Sequence, residues 1–92
     1  MAPIQLVLLD DHALFRVMLS RLLDTDSNFQ VVAHGSSSQD ALDALARNHV
    51  DLVLLDYDLG KRETGFQFIS RARDAGYTGR IFIVTAGMPD AD

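Results

Sequence analysis

DLVLLDYDLGKRET, residues 51–64, decides how this chain is read. It opens on four apolar residues, Leu52-Val53-Leu54-Leu55, too few for a helix and rich enough in β-formers for a strand. With no polar alternation, the run suits a strand covered on both faces, as in the middle of a parallel sheet. It stops at Asp56, where acidic and small residues take over. A carboxylate at the carboxyl end of a buried strand lies on the rim where open α/β sheets place their sites. Asp56 is therefore the first candidate functional residue.

Working outward, Ile4 to Leu9 reads as another buried strand, and it ends on Asp10-Asp11. From Ala13 to Leu23 the period changes. Leu14, Met18 and Leu22, with Phe15, Leu19 and Leu23 beside them, give one broad apolar helix face, and Arg16, Ser20 and Arg21 fall elsewhere. Phe29 to Ala33 is a short, mixed strand suited to a sheet edge. Ser37 with Asp40 fits a capping-box-like start, with a shorter acid, for a helix that uses Ala41, Leu42, Leu45 and Ala46 and ends near Asn48. Beyond residue 64, Phe66 to Ala75 reads as a helix with Phe66, Ile69 and Ala72 on one stripe, and Gly76 suits the position after it. Ile81 to Val84 is a further strand, ending at Thr85. Strand and helix alternate throughout, which predicts right-handed crossovers and a parallel sheet with helices on both faces.

Composition narrows the function. The 92 residues suggest one small domain, and 48% apolar with 23% charged residues is the balance of a globular chain. The net charge of −5 and the absence of a basic stripe argue against a nucleic-acid footprint. With no cysteine, thiol chemistry and Cys-based zinc sites are excluded. No apolar run is long enough for a leader or a membrane span, so the cytoplasm is the expected location.

In a parallel sheet the strand ends Asp10-Asp11, Asp56 and Thr85 share one rim. Clustered carboxylates repel each other and are relieved by sharing protons or by binding a hard cation. All-oxygen ligands favour Mg²⁺, and a carboxylate such as Asp56 can act as the nucleophile in phosphoryl transfer. Asp10-Asp11 could instead be a helix N-cap. His12 reads most simply as a helix-start residue packed beside the site. His34 and His49 have no ligand spacing, and Arg71 and Arg73 read as a solvated face.

VLLDDH at 7–12, LVLLD at 52–56, Gly65 opening a helix and IVTA at 83–86 resemble the receiver domain of two-component response regulators, and DDHALFR is most similar to receivers that precede DNA-binding output domains. The resemblance implies a flavodoxin-like (CheY-like) fold with strand order 2-1-3-4-5. Residues 1–92 would supply the 2-1-3-4 part of it, and the fifth strand and last two helices would be missing. It also implies that Asp56 accepts a phosphoryl group from a sensor histidine kinase. Asp11 would ligate Mg²⁺ directly, with Asp10 helping through water or orientation. Asp58 would offer its backbone carbonyl, and Thr85 would bond the phosphoryl group. The family's fifth-strand lysine has no counterpart here, since the only lysine is Lys61, so slow phosphorylation is expected. The loop after Asp56 also lacks the family's common proline. A rival resemblance is the D-x-D motif of haloacid-dehalogenase-type phosphatases at Asp56-Tyr57-Asp58, although there the acidic pair comes late and here it comes first. A third reading is an interaction domain that is not phosphorylated. If the last helices are missing, the sheet should be bare near Val7, Leu9, Val53 and Leu55, with self-association through those faces or the fourth strand.

Overall fold

The computed structural model describes residues 2–56 and 65–84. The elements run β1 (Ile4–Leu9), α1 (Ala13–Asp24), β2 (Phe29–Gly35), α2 (Ser38–Arg47), β3 (Leu52–Asp56), α3 (Gly65–Asp74) and β4 (Arg80–Val84). The strands form one parallel sheet in the order β2-β1-β3-β4. This is the predicted architecture, with boundaries within two residues of expectation.

Local chemistry sets several of these boundaries. Ser37 caps α2 by accepting a hydrogen bond from the Asp40 N–H at 3.2 Å, as its spacing predicted. Gly76 ends α3 at φ 98°, with Gly76 N–H donating to Arg73 O and Tyr77 N–H to Ala72 O, both at 3.0 Å. This pair of bonds satisfies carbonyls left free at the helix end and needs a residue that tolerates positive φ. Gly35 is required by close approach, since a Cβ there would lie 2.7 Å from Asp40 Cβ.

Pairing fixes which side chains share a face. Leu8, Leu54 and Phe82 stand in register, as do Leu9, Leu55 and Ile83. Val7, Leu9, Val53 and Leu55 pack with Ala41 and Ala44 of α2 and Phe68 and Ala72 of α3, and Ile81 and Ile83 lie against this core. The expected bare surface is therefore on the wrong side: Val7, Leu9, Val53 and Leu55 are at most 1% exposed. The open face is the opposite one. There Leu6 and Leu8 of β1 are buried, but Leu52 and Leu54 are only half covered and Phe82 is 53% exposed. The reading of β3 as covered on both faces holds fully for one face only.

Helix α1 also turns differently from expectation. Ser20 is buried, and Arg16, Leu19 and Leu23 are half-buried, whereas Leu14, Met18 and Leu22 are 73%, 61% and 66% exposed. The apolar arc is wider than the contact available on β1 and β2, so only its margin at Leu19 and Leu23 is used. In α3, Phe68 rather than Phe66 points inward with Ala72. Arg71 and Arg73 lie on the exposed side but are bonded. Arg71 donates to Ser38 Oγ at 2.6 Å, and Arg73 donates to Tyr77 O and Gly79 O at 2.9 and 2.8 Å.

At the amino-terminal rim, Asp51 ties three strands. Its Oδ2 accepts from Gln5 N–H at 2.9 Å, Oδ1 lies 2.8 Å from His49 Nε2, and its carbonyl accepts from Arg80 N–H at 3.2 Å. The Gln5 N–H, then His49, hold the carboxyl below its ordinary value of 3.8. A depressed pKa adds stability that is present above 3.8 and lost as pH falls through the lower folded value. Thermal unfolding followed from pH 5 downward should therefore show a shallower loss of stability in Asp51→Asn than in the native chain. Equal slopes would remove this role.

Candidate functional site

The carboxyl ends of β1 and β3 are neighbours in the sheet, so Asp10, Asp11 and Asp56 meet at one rim. Together with His12, each offers a ligand atom within 4.8 Å of the others. The loop that presents the first two is anchored to β2, since Asp10 N–H donates to Gly35 O at 3.1 Å. Asp10 Oδ1 turns back to accept the His12 N–H at 2.8 Å. Asp10 and Asp56 expose only 14% and 16% of their side chains, and Asp11 34%.

The alternative that Asp10-Asp11 is a plain helix cap does not describe this geometry. The N-cap of α1 is His12, with no side-chain cap bond and no acidic residue in the first turn. The acidic pair is turned toward Asp56 instead.

His12 is the residue that sequence reasoning underrated. It is the helix-start residue expected beside the site, but its ring also enters the cluster. Nδ1 lies 3.0 Å from Asp10 Oδ1, 3.1 Å from Asp11 Oδ1 and 3.8 Å from Asp56 Oδ2. The hydrogen bond to Asp10, then the charges of Asp11, Asp10 and Asp56, raise its pKa above the ordinary 6.5. The ring nitrogen occupies the position among the three carboxylates that a cation would take. Being 73% exposed, the ring can swing out and yield the position. The remaining donors are hard carboxylate oxygens, which fit Mg²⁺.

Asp58, Thr85 and Lys61 lie outside the described residues. The cluster therefore brings together three of the predicted site residues. A narrow apolar groove runs beside it, between Phe15 and Leu19 of α1 and Leu8 and Leu54 of the sheet.

The family model described as the response regulator receiver domain matches residues 6–92. The chain belongs to the receiver-domain family of response regulators. It is 32% identical over 90 residues to the nitrate/nitrite response regulator protein NarP of Escherichia coli K12, covering 98% of this chain and 41% of that protein. The transcriptional regulatory protein DegU of Brevibacillus brevis is 36% identical over 58 residues, covering 63% of this chain and 25% of DegU. The chain thus spans 41% of NarP and 25% of DegU. Among solved structures, the signal receiver domain of NarL from Mycobacterium tuberculosis superposes with a TM-score of 0.83 at 26% identity, covering 99% of this chain and 73% of that one. A chain from the complex of the phosphorylated P1 domain of CheA3 with CheY6 from R. sphaeroides gives 0.77 at 28% identity, covering 94% and 76%. The family carries two-component signalling and, in relatives such as DegU, transcriptional regulation. Membership sets the phosphatase and the non-phosphorylated reading behind the receiver. Among the described residues no helix is long and apolar enough to cross a membrane.

Proposed function

We propose that residues 1–92 act as a receiver domain that takes a phosphoryl group onto Asp56 from the phosphohistidine of a sensor kinase, with Mg²⁺ at Asp10, Asp11 and Asp56. The observation that carries this reading is the convergence of the three carboxylates around the His12 nitrogen. A carboxylate oxygen of Asp56 attacks phosphorus, the P–N bond breaks, and the leaving imidazole takes up a proton. Asp11 would hold the cation directly, Asp10 would help through water or orientation, and Asp58 would offer its backbone carbonyl. Mg²⁺ supplies positive charge that offsets the phosphoryl oxygens against the surrounding carboxylates. Thr85 bonds the transferred group and couples its arrival to a change in the fold. The product is a modified protein rather than a released molecule, so the domain signals without turnover.

A kinase phosphotransfer domain as partner is supported by the CheA3 P1–CheY6 complex, one chain of which this domain resembles. The net charge of −5 assigns no nucleic-acid contact to these residues themselves. A cytoplasmic location follows from the kinase partnership.

Acetyl phosphate with Mg²⁺, read by intact mass, tests the assignment. One added phosphoryl group is expected, absent in Asp56→Asn and lost on chelation of the metal. Modification that persists in Asp56→Asn would overturn the acceptor assignment. Continuous release of phosphate from a small phosphomonoester would instead favour the phosphatase reading. For the metal, amide shifts on Mg²⁺ addition should be lost in Asp11→Ala, and shifts indifferent to that change would remove the site.

A further inference from the structure

Arg16 is half-buried on a helix whose Leu14, Met18 and Leu22 face water, and its bonds give the reason. Its Nη1 donates to the backbone carbonyl of Asp10 at 2.8 Å. Its Nε donates to Nδ1 of His34, at the carboxyl end of β2, at 3.0 Å. The second bond requires His34 to keep its proton on Nε2, leaving Nδ1 as an acceptor. The Asp10 backbone is thereby gripped from both sides, because its N–H is already bonded to Gly35 O at 3.1 Å. The carbonyl that Arg16 holds belongs to the peptide unit joining Asp10 to Asp11, so its orientation bears on two of the three carboxylates in the cluster.

Resting on the receiver reading above, we propose that Arg16 is a positioning residue for the acidic site: by clamping the Asp10 carbonyl, with His34 fixing its own orientation, it holds the Asp10 and Asp11 carboxylates in the geometry that receives the divalent cation. A guanidinium suits this task. Its planar fork spans two acceptors at once, which an ammonium on a flexible stem does not reproduce. Residues that orient metal ligands without touching the metal typically change affinity by about 10- to 100-fold when replaced.

Charge and positioning predict opposite signs, which makes the test decisive. Arg16 is a cation beside a cation site, so by Coulomb's law alone its neutralisation should tighten Mg²⁺ binding. Positioning predicts that it loosens. Mg²⁺ would be titrated into the folded protein and read by amide chemical shifts for the native chain, Arg16→Met, Arg16→Lys, His34→Ala and Asp11→Ala, with the thermal midpoint measured for each. The expected result is about tenfold weaker binding in both Arg16 variants, with a smaller loosening in His34→Ala. Arg16→Lys keeps the charge and most of the stem, so it carries the test if Arg16→Met does not fold. Binding as tight as native in Arg16→Lys, or tighter in Arg16→Met, overturns the positioning role while Asp11→Ala still reports the site. Native protein that shows no Mg²⁺ response sensitive to Asp11→Ala overturns the receiver metal site and this inference with it.

Discussion

Replacing Phe68 with alanine is expected to leave the chain largely unfolded, or unfolding at a far lower denaturant concentration. Phe68 is fully buried and heads the largest buried side chains. It projects from α3 into the layer formed by Val53 and Leu55 of β3 and Ala41 and Ala44 of α2. Its neighbours inward on α3 are Gly65 and Ala72, both too small to fill the space it would leave. A buried Phe→Ala change costs about 3–5 kcal/mol, from lost transfer free energy plus the cavity left behind. Whole domains have only about 5–15 kcal/mol in hand, and a small domain sits toward the low end because it buries a smaller fraction of its surface. In urea, where slopes for small proteins are about 1–3 kcal/mol per molar, the midpoint should fall by 1 M or more. Phe68→Leu keeps much of the volume and should lose far less. Far-UV circular dichroism against urea checks both, and a midpoint unmoved by Phe68→Ala would mean that α3 is not seated on the sheet.

How much of this was legible in the sequence depends on how local each determinant is. The strands were legible because Ile4–Leu9 and Leu52–Leu55 are apolar runs cut off by aspartates. Ser37 and Gly76 were legible because a cap and a left-handed residue act within one turn. The acidic cluster was legible because a parallel sheet puts the carboxyl ends of β1 and β3 side by side. The orientation of α1 was not. Its apolar arc is wide, and the part that meets the sheet is settled by Arg16, whose partners are a backbone carbonyl and a histidine on another strand. The side left open was misjudged for a related reason. In a strand a shift of one residue exchanges the faces, and nothing within LVLL tells which parity lies beneath α2 and α3. His12 enters the cluster through the extended backbone of the N-cap, φ −91° and ψ 97°, and a ring orientation that no spacing rule contains.

The 92-residue chain is expected to self-associate through the face opposite α2 and α3. On α1, Leu14, Met18 and Leu22 are 73%, 61% and 66% exposed and lie one turn apart, with Phe15 at 47% beside them. Across the narrow groove lined by Phe15, Leu19, Leu8 and Leu54 stands Phe82, 53% exposed and in register with Leu54. Singly exposed apolar side chains are ordinary. Here they form one band from helix to sheet, and contiguous bands of this kind mark association surfaces. Among the described residues β4 is also an edge of the four-stranded sheet, with no charged residue from Ile81 to Val84, which leaves strand pairing as a second route. Ile83 is a poor probe of either, because it packs against the core on the α2 and α3 side and its change to lysine would injure the fold. Met18→Lys and Phe82→Lys are the informative substitutions. Each replaces an already exposed side chain, so the fold should lose no more than about 0.5 kcal/mol, whereas a lysine buried in an apolar contact without a partner is strongly disfavoured. Light scattering and sedimentation across a dilution series should show oligomers in the native chain and a shift toward monomer in either variant. Oligomers that survive both changes together would place the contact on the β4 edge. A native chain that stays monomeric at high concentration would mean that Leu14, Met18, Leu22 and Phe82 tolerate water without a partner, and the self-association proposal would fall.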